Sequence, residues 1–66
     1  MRLILNGEEK ELAGVDTVAA LVEQLQLNAT QVAIERNRVI VPRATYGQAA
    51  LSEGDEIEIV RFIGGG

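Results

Sequence analysis

The chain contains no cysteine and no histidine. That excludes disulfides, thiolate nucleophiles and zinc-finger spacing, and it removes the commonest general base. Aromatic residues are nearly absent: Tyr46 and Phe62 are the only two, too few for a platform on which nucleotide bases stack. Basic residues are also scarce, six against ten acidic ones, for a net charge of −4. A nucleic-acid partner calls for a basic stripe, which this balance argues against. No apolar run approaches the roughly 20 residues needed to cross a bilayer. The start, Met1-Arg2-Leu3-Ile4-Leu5, is cut short by Asn6-Gly7-Glu8-Glu9 and reads as a strand rather than a signal peptide. A soluble cytoplasmic protein, monomeric when free, is the expectation. At 66 residues there is room for one thin core. A pocket of about 300 Å³ or more is hard to build from so little material, so size favours a carrier, a binding module or a structural unit over an enzyme.

What is present is ordinary globular composition, 47% hydrophobic and 24% charged. Met1 to Leu5 and Glu8 to Leu12 read as two strands joined by Asn6-Gly7, a pair that tolerates the positive φ angles of a type I′ turn. Asp16 or Thr17 is placed to cap a helix. Val18, Leu21, Val22 and Leu25 then fall at i, i+3, i+4 and i+7, one apolar stripe, with Asn28 as the stop. Val32 to Glu35 reads as a third strand and Val39 to Val41 as a short fourth, with Asn37-Arg38 turning between them and Pro42 ending the second. Ala44 to Ala50 reads as a loop with one helical turn. After the turn at Glu53-Gly54-Asp55, Glu56 to Phe62 is the final strand. The order predicts an α+β domain over residues 1–63: a single mixed sheet with one main helix packed on one face. Residues 64–66, all glycine, form a tail expected to pack against nothing.

One helix leaves the second sheet face uncovered. Side chains alternate along a strand. If Leu3, Leu5, Ile57 and Ile59 face the helix, then Ile4, Val60 and Phe62 lie outside, and a clustered apolar surface points to docking. A bulge near the strand end that folds Phe62 into the core stays open as the alternative. The carboxylates around the first hairpin and the last turn read as solvated surface that can steer the chain toward basic partners. Arg43 and Arg61 read as surface residues and Tyr46 as a packing residue.

A glycine-rich end is by itself often only a disordered terminus. Here it follows the last strand with just Ile63 between them, and the rest of the chain carries further matches. The chain resembles the ThiS family of ubiquitin-like sulfur carriers over its whole length. The matching segments are Leu3-Ile4-Leu5-Asn6-Gly7, Thr17-Val18 with Leu21-Val22, Val32-Ala33-Ile34-Glu35-Arg36-Asn37, Ile40-Val41-Pro42-Arg43, and Leu51-Ser52-Glu53-Gly54-Asp55-Glu56-Ile57-Glu58-Ile59-Val60, with Gly65-Gly66 at the end. The last of these, in so short a chain, is the most specific.

The resemblance implies a β-grasp (ubiquitin-like) fold. It implies that the carboxylate of Gly66 is the working group, with Gly65 beside it, and that the chain is not an enzyme but a co-substrate of partner enzymes. An E1-like adenylyltransferase of the ThiF type would use ATP and magnesium to adenylate Gly66. A persulfide donor would convert the adenylate to a thiocarboxylate, and a thiazole synthase of the ThiG type would receive the sulfur. The chain itself would bind no metal or cofactor, no nucleic acid and no membrane. Phe62, Val60 and Ile4, with Ile63 and Gly64, are the expected docking residues. Glycine lacks a Cβ, so such an end can thread a narrow channel. Three other readings stay open: a molybdopterin-type carrier of the same plan, a protein modifier conjugated through Gly66, and a passive interaction domain.

Overall fold

The computed structural model describes residues 1–62. Ile63, Gly64, Gly65 and Gly66 lie outside the described residues, and so does the expected boundary between domain and tail. Strand β1 (Arg2–Leu5) pairs antiparallel with β2 (Glu8–Glu11). Asn6 and Gly7 join them at φ 47° and 83°, the two positive angles that a type I′ turn requires. All four residues of β2 are exposed and charged. A charged edge strand discourages pairing with another chain.

Helix α1 spans Val18–Gln24. Its first turn has no intrahelical acceptors for its N–H groups. Thr17, of the two candidate caps, supplies one: its Oγ1 accepts from the Ala20 N–H at 3.1 Å. The loop after Pro42 supplies two more, because the Val18 N–H donates to the Ala49 carbonyl and the Ala19 N–H to that of Tyr46, each at 2.9 Å. The helix stops earlier than Asn28. Gln26 takes φ 57°, its N–H donates to the Glu23 carbonyl, and the Leu27 N–H reaches back to that of Val22. This is a Schellman closure, with glutamine in the left-handed position that glycine usually fills. Asn28 instead caps a 3-10 turn over Ala29–Gln31, its Oδ1 accepting from the Thr30 N–H at 2.9 Å.

Strand β3 (Val32–Arg36) turns through Asn37 and Arg38, both at positive φ, into the two-residue β4 (Val39–Ile40). A 3-10 turn over Arg43–Thr45 follows. Glu53 and Gly54 then turn the chain, with the Asp55 N–H donating to the Ser52 carbonyl, into β5 (Glu56–Arg61). The sheet order is β2-β1-β5-β3-β4, with β1 and β5 parallel and the other neighbours antiparallel. Among the described residues, five strands with one helix on one face form the β-grasp arrangement. Leu3, Val18, Leu21, Ile34 and Ile57 are the largest fully buried side chains, so helix and sheet meet through aliphatic residues on the expected faces. Each such burial contributes about 1.5–3 kcal/mol. The Tyr46 ring joins this core.

Candidate functional site

The geometry of interest is the C-terminal end of β5, the central strand. On one edge β5 runs beside β3 as far as Arg61, opposite Val32. The next residue, Phe62, donates its N–H to the Gln31 carbonyl at 2.8 Å. On the other edge β1 supports β5 only up to Leu5, opposite Ile57, before the hairpin carries the chain away. The Asn6 carboxamide continues the ladder there. Its backbone N–H donates to the Ile57 carbonyl at 2.8 Å. Its Oδ1 accepts from the Ile59 N–H at 2.8 Å, and its Nδ2 donates to the Ile59 carbonyl at 3.4 Å.

Val60 and Phe62 are 56% and 53% exposed. Phe62 is therefore not folded into the core. It borders a shallow groove of about 210 Å³ with Val32, Ile40, Pro42 and Tyr46 among its walls. A second groove, about 430 Å³, opens between the end of α1 and the end of β5, over Leu5, Leu25, Leu27 and Ile59 with Arg61 at its rim. The end of β5 thus lies between two largely apolar grooves. Ile4 is half-buried and does not join Val60 and Phe62. The register sets it opposite Glu56, four residues before Val60, or about 13 Å along the strand. Ile63, Gly64, Gly65 and Gly66, the remaining expected site residues, lie outside the described residues.

Between Ile4 and Val60 the uncovered face is acidic. Glu35 and Glu58 are exposed and directly opposite one another on β3 and β5, and Glu56 is exposed one step along. Arg38 lines the same hollow as these three carboxylates and Val60, whereas Arg2 pairs elsewhere, with Glu9 at 3.3 Å and Glu53 at 3.6 Å. Arg43, read from the sequence as a surface residue, has a specific set of bonds. Its Nε donates to the Ala29 carbonyl at 3.0 Å and its Nη2 to that of Thr30 at 3.4 Å.

Asp55 is the one buried acidic residue among the described ones, at 8% exposed. Its carboxylate accepts from Arg36 Nε at 2.7 Å, the Ser52 N–H at 2.8 Å and Asn37 Nδ2 at 3.0 Å. Burial pushes its pKa up. The bonds from Asn37, Ser52 and Arg36, with the Arg36 charge, outweigh that and hold it below the ordinary carboxylate value. A carboxylate saturated in this way is a structural tie, not a general base. Among the described residues no group of three or more acidic side chains is arranged to hold a metal ion, and no helix is long and apolar enough to cross a membrane.

Two groups escaped the sequence reading. Asn6 was legible only as a turn residue, because its link to Ile59 spans 53 positions. Asp55 and Asn37 read only as turn residues and Arg36 had no reading of its own until the two turns met.

Comparison with known proteins agrees with this fold. The chain is 48% identical over all 66 residues to a thiazole synthase of Paramagnetospirillum magneticum, and spans 20% of that longer protein. It is 33% identical to the sulfur carrier protein ThiS of Escherichia coli, with both chains covered completely. The crystal structure of the thiamine biosynthesis protein ThiS from Geobacter metallireducens superposes with a TM-score of 0.83, at 29% identity, over the whole of both chains. The ThiS family model matches residues 3–66, and the chain belongs to the ThiS family.

Proposed function

We propose that this chain is a sulfur carrier of thiamine biosynthesis whose working group is the carboxylate of Gly66. The observation that supports the reading is the ThiS family match over residues 3–66, a span that includes Gly65 and Gly66. A carboxylate is a poor electrophile. An E1-like adenylyltransferase of the ThiF type transfers AMP from magnesium-bound ATP to it, releasing pyrophosphate. The terminal sulfur of a persulfide attacks the acyl carbon and AMP leaves. A thiol then cleaves the sulfur–sulfur bond, and the thiocarboxylate remains on Gly66. The chain supplies no acid, base or metal to these steps. It supplies a slim end, and the body that a partner recognises.

The acceptor is a thiazole synthase of the ThiG type. A protein named thiazole synthase contains a stretch 48% identical to this whole chain, a fifth of its own length, which supports a synthase of that kind as the partner. Val60, Phe62 and the grooves beside them are the proposed docking region, with Ile63 and Gly64 continuing it. Intact mass of the protein from its native host tests the reading. One oxygen replaced by sulfur supports it. An isopeptide adduct with another protein, and no thiocarboxylate under any growth condition, would replace it with the modifier reading.

A further inference from the structure

The geometry points to Asn6 and Arg43 as positioning residues that hold the end of β5 at Ile59 and the next residue after the strand, Phe62, from opposite edges, so that the working end is presented to the activating enzyme from a fixed base. The inference rests on the sulfur-carrier reading above.

The Asn6 side chain does more than its turn requires. A type I′ turn needs positive φ at residue 6, which glycine or aspartate also provides. It does not need a carboxamide. In a parallel ladder, the next rung after the Asn6 N–H bond to Ile57 would use a carbonyl and an N–H from a continuing β1. β1 has already turned away. The carboxamide presents one acceptor and one donor in their place, and both engage Ile59. The support of β5 on this edge is thereby extended by one rung.

Arg43 acts on the other edge through an intermediate. The final carbonyls of a short helical turn lack partners of their own. The Arg43 guanidinium takes those of Ala29 and Thr30. The next carbonyl, Gln31, accepts the Phe62 N–H. Arg43 therefore holds the segment that holds Phe62. Arg43 follows Pro42, whose φ of −61° is set by its ring, so the guanidinium starts from a constrained backbone.

A clamp of this kind matters for a carrier. A partner that grips the body while admitting the end must order whatever joins the two. Order already present in the free protein is not lost again on binding. Loosening the clamp should therefore raise KM for the carrier and leave kcat nearly unchanged, the pattern of lost uniform binding.

The test uses the full chain with three substitutions. Asn6→Gly keeps the turn and removes the carboxamide. Asn6→Asp restores the acceptor for the Ile59 N–H. Arg43→Ala frees the 3-10 turn. Amide hydrogen exchange is followed at Ile59 and Phe62, with Leu21 as the core reference. Pyrophosphate exchange with a ThiF-type adenylyltransferase is measured against carrier concentration. Asn6→Gly should speed exchange at Ile59 about tenfold, and Arg43→Ala should do so at Phe62, with Leu21 unmoved. Each should raise KM about fivefold at constant kcat. Asn6→Asp should return both values most of the way to wild type. Unchanged exchange at Ile59 and Phe62 overturns the clamp. Faster exchange with unchanged KM overturns its positioning role while leaving the carrier reading intact. A wild-type chain that is not adenylated at all overturns the carrier reading, and the positioning role falls with it.

Discussion

Asp55 Oδ2 lies 2.7 Å from Arg36 Nε, joining the turn before β5 to the end of β3. Asn37 reinforces the join from the same hairpin. Its Nδ2 donates to Asp55, and its Oδ1 accepts from the Glu56 N–H at 3.0 Å. Two loops that are separate in sequence thus set the start of β5, the strand whose far end carries the proposed site.

The pH dependence follows from this tie. Asp55 has a lower pKa in the folded protein than its ordinary value of 3.8. Its contribution to stability is therefore fully present above the unfolded pKa and is lost as pH falls through the folded one. Asp55→Asn should cost about 2 kcal/mol at neutral pH, because a charge-assisted bond is lost and Arg36 is left without its partner. Urea midpoints of wild type and variant, measured from pH 7 down to about pH 2, should converge as Asp55 protonates. Parallel curves across that range would show that Asp55 is not the group responsible.

Phe62→Ala separates docking from packing. Phe62 is 53% exposed, so truncation should change stability by no more than about 0.5 kcal/mol. Affinity for the adenylyltransferase should fall by about 2 kcal/mol if this ring is a centre of the interface. Denaturant midpoint and binding isotherm are read on one sample. A binding constant equal to wild type removes Phe62 from the docking region.

Gly65→Val tests the slim end. A β-branched side chain both widens the backbone and stiffens it. Single-turnover formation of the thiocarboxylate should drop by at least tenfold, with an unchanged far-UV spectrum. Near-normal turnover would mean that the partner channel does not require glycine there.

Deletion of Gly66, or one residue added after it, should abolish AMP-forming activation, since the reacting carboxylate is then displaced or masked. Conversion of either variant to a thiocarboxylate by the partner enzyme would remove Gly66 from the chemistry.

The elements and the faces they bury were legible in the residue pattern alone. Asn6-Gly7 wrote the first hairpin, because few residues accept positive φ, and Asn37-Arg38 was legible as the second turn, though the positive φ of Arg38 was not. The stripe through Val18, Leu21 and Val22 wrote the buried side of α1, and alternation along β1 and β5 wrote which aliphatic residues would meet it. These signals are local, and chain neighbours suffice to read them. Other features emerged only once the chain had folded. The helix ended at Gln24 because Gln26 adopted a left-handed turn that its side chain does not advertise. Ile4 was parted from Val60 by the register of two strands about fifty positions apart. Asn6 reached Ile59, and Arg36 reached Asp55, because folding brought remote backbone and side-chain groups within hydrogen-bonding distance. Such partners leave no trace in the spacing of residues, since each forms only after the sheet has set the distance between them.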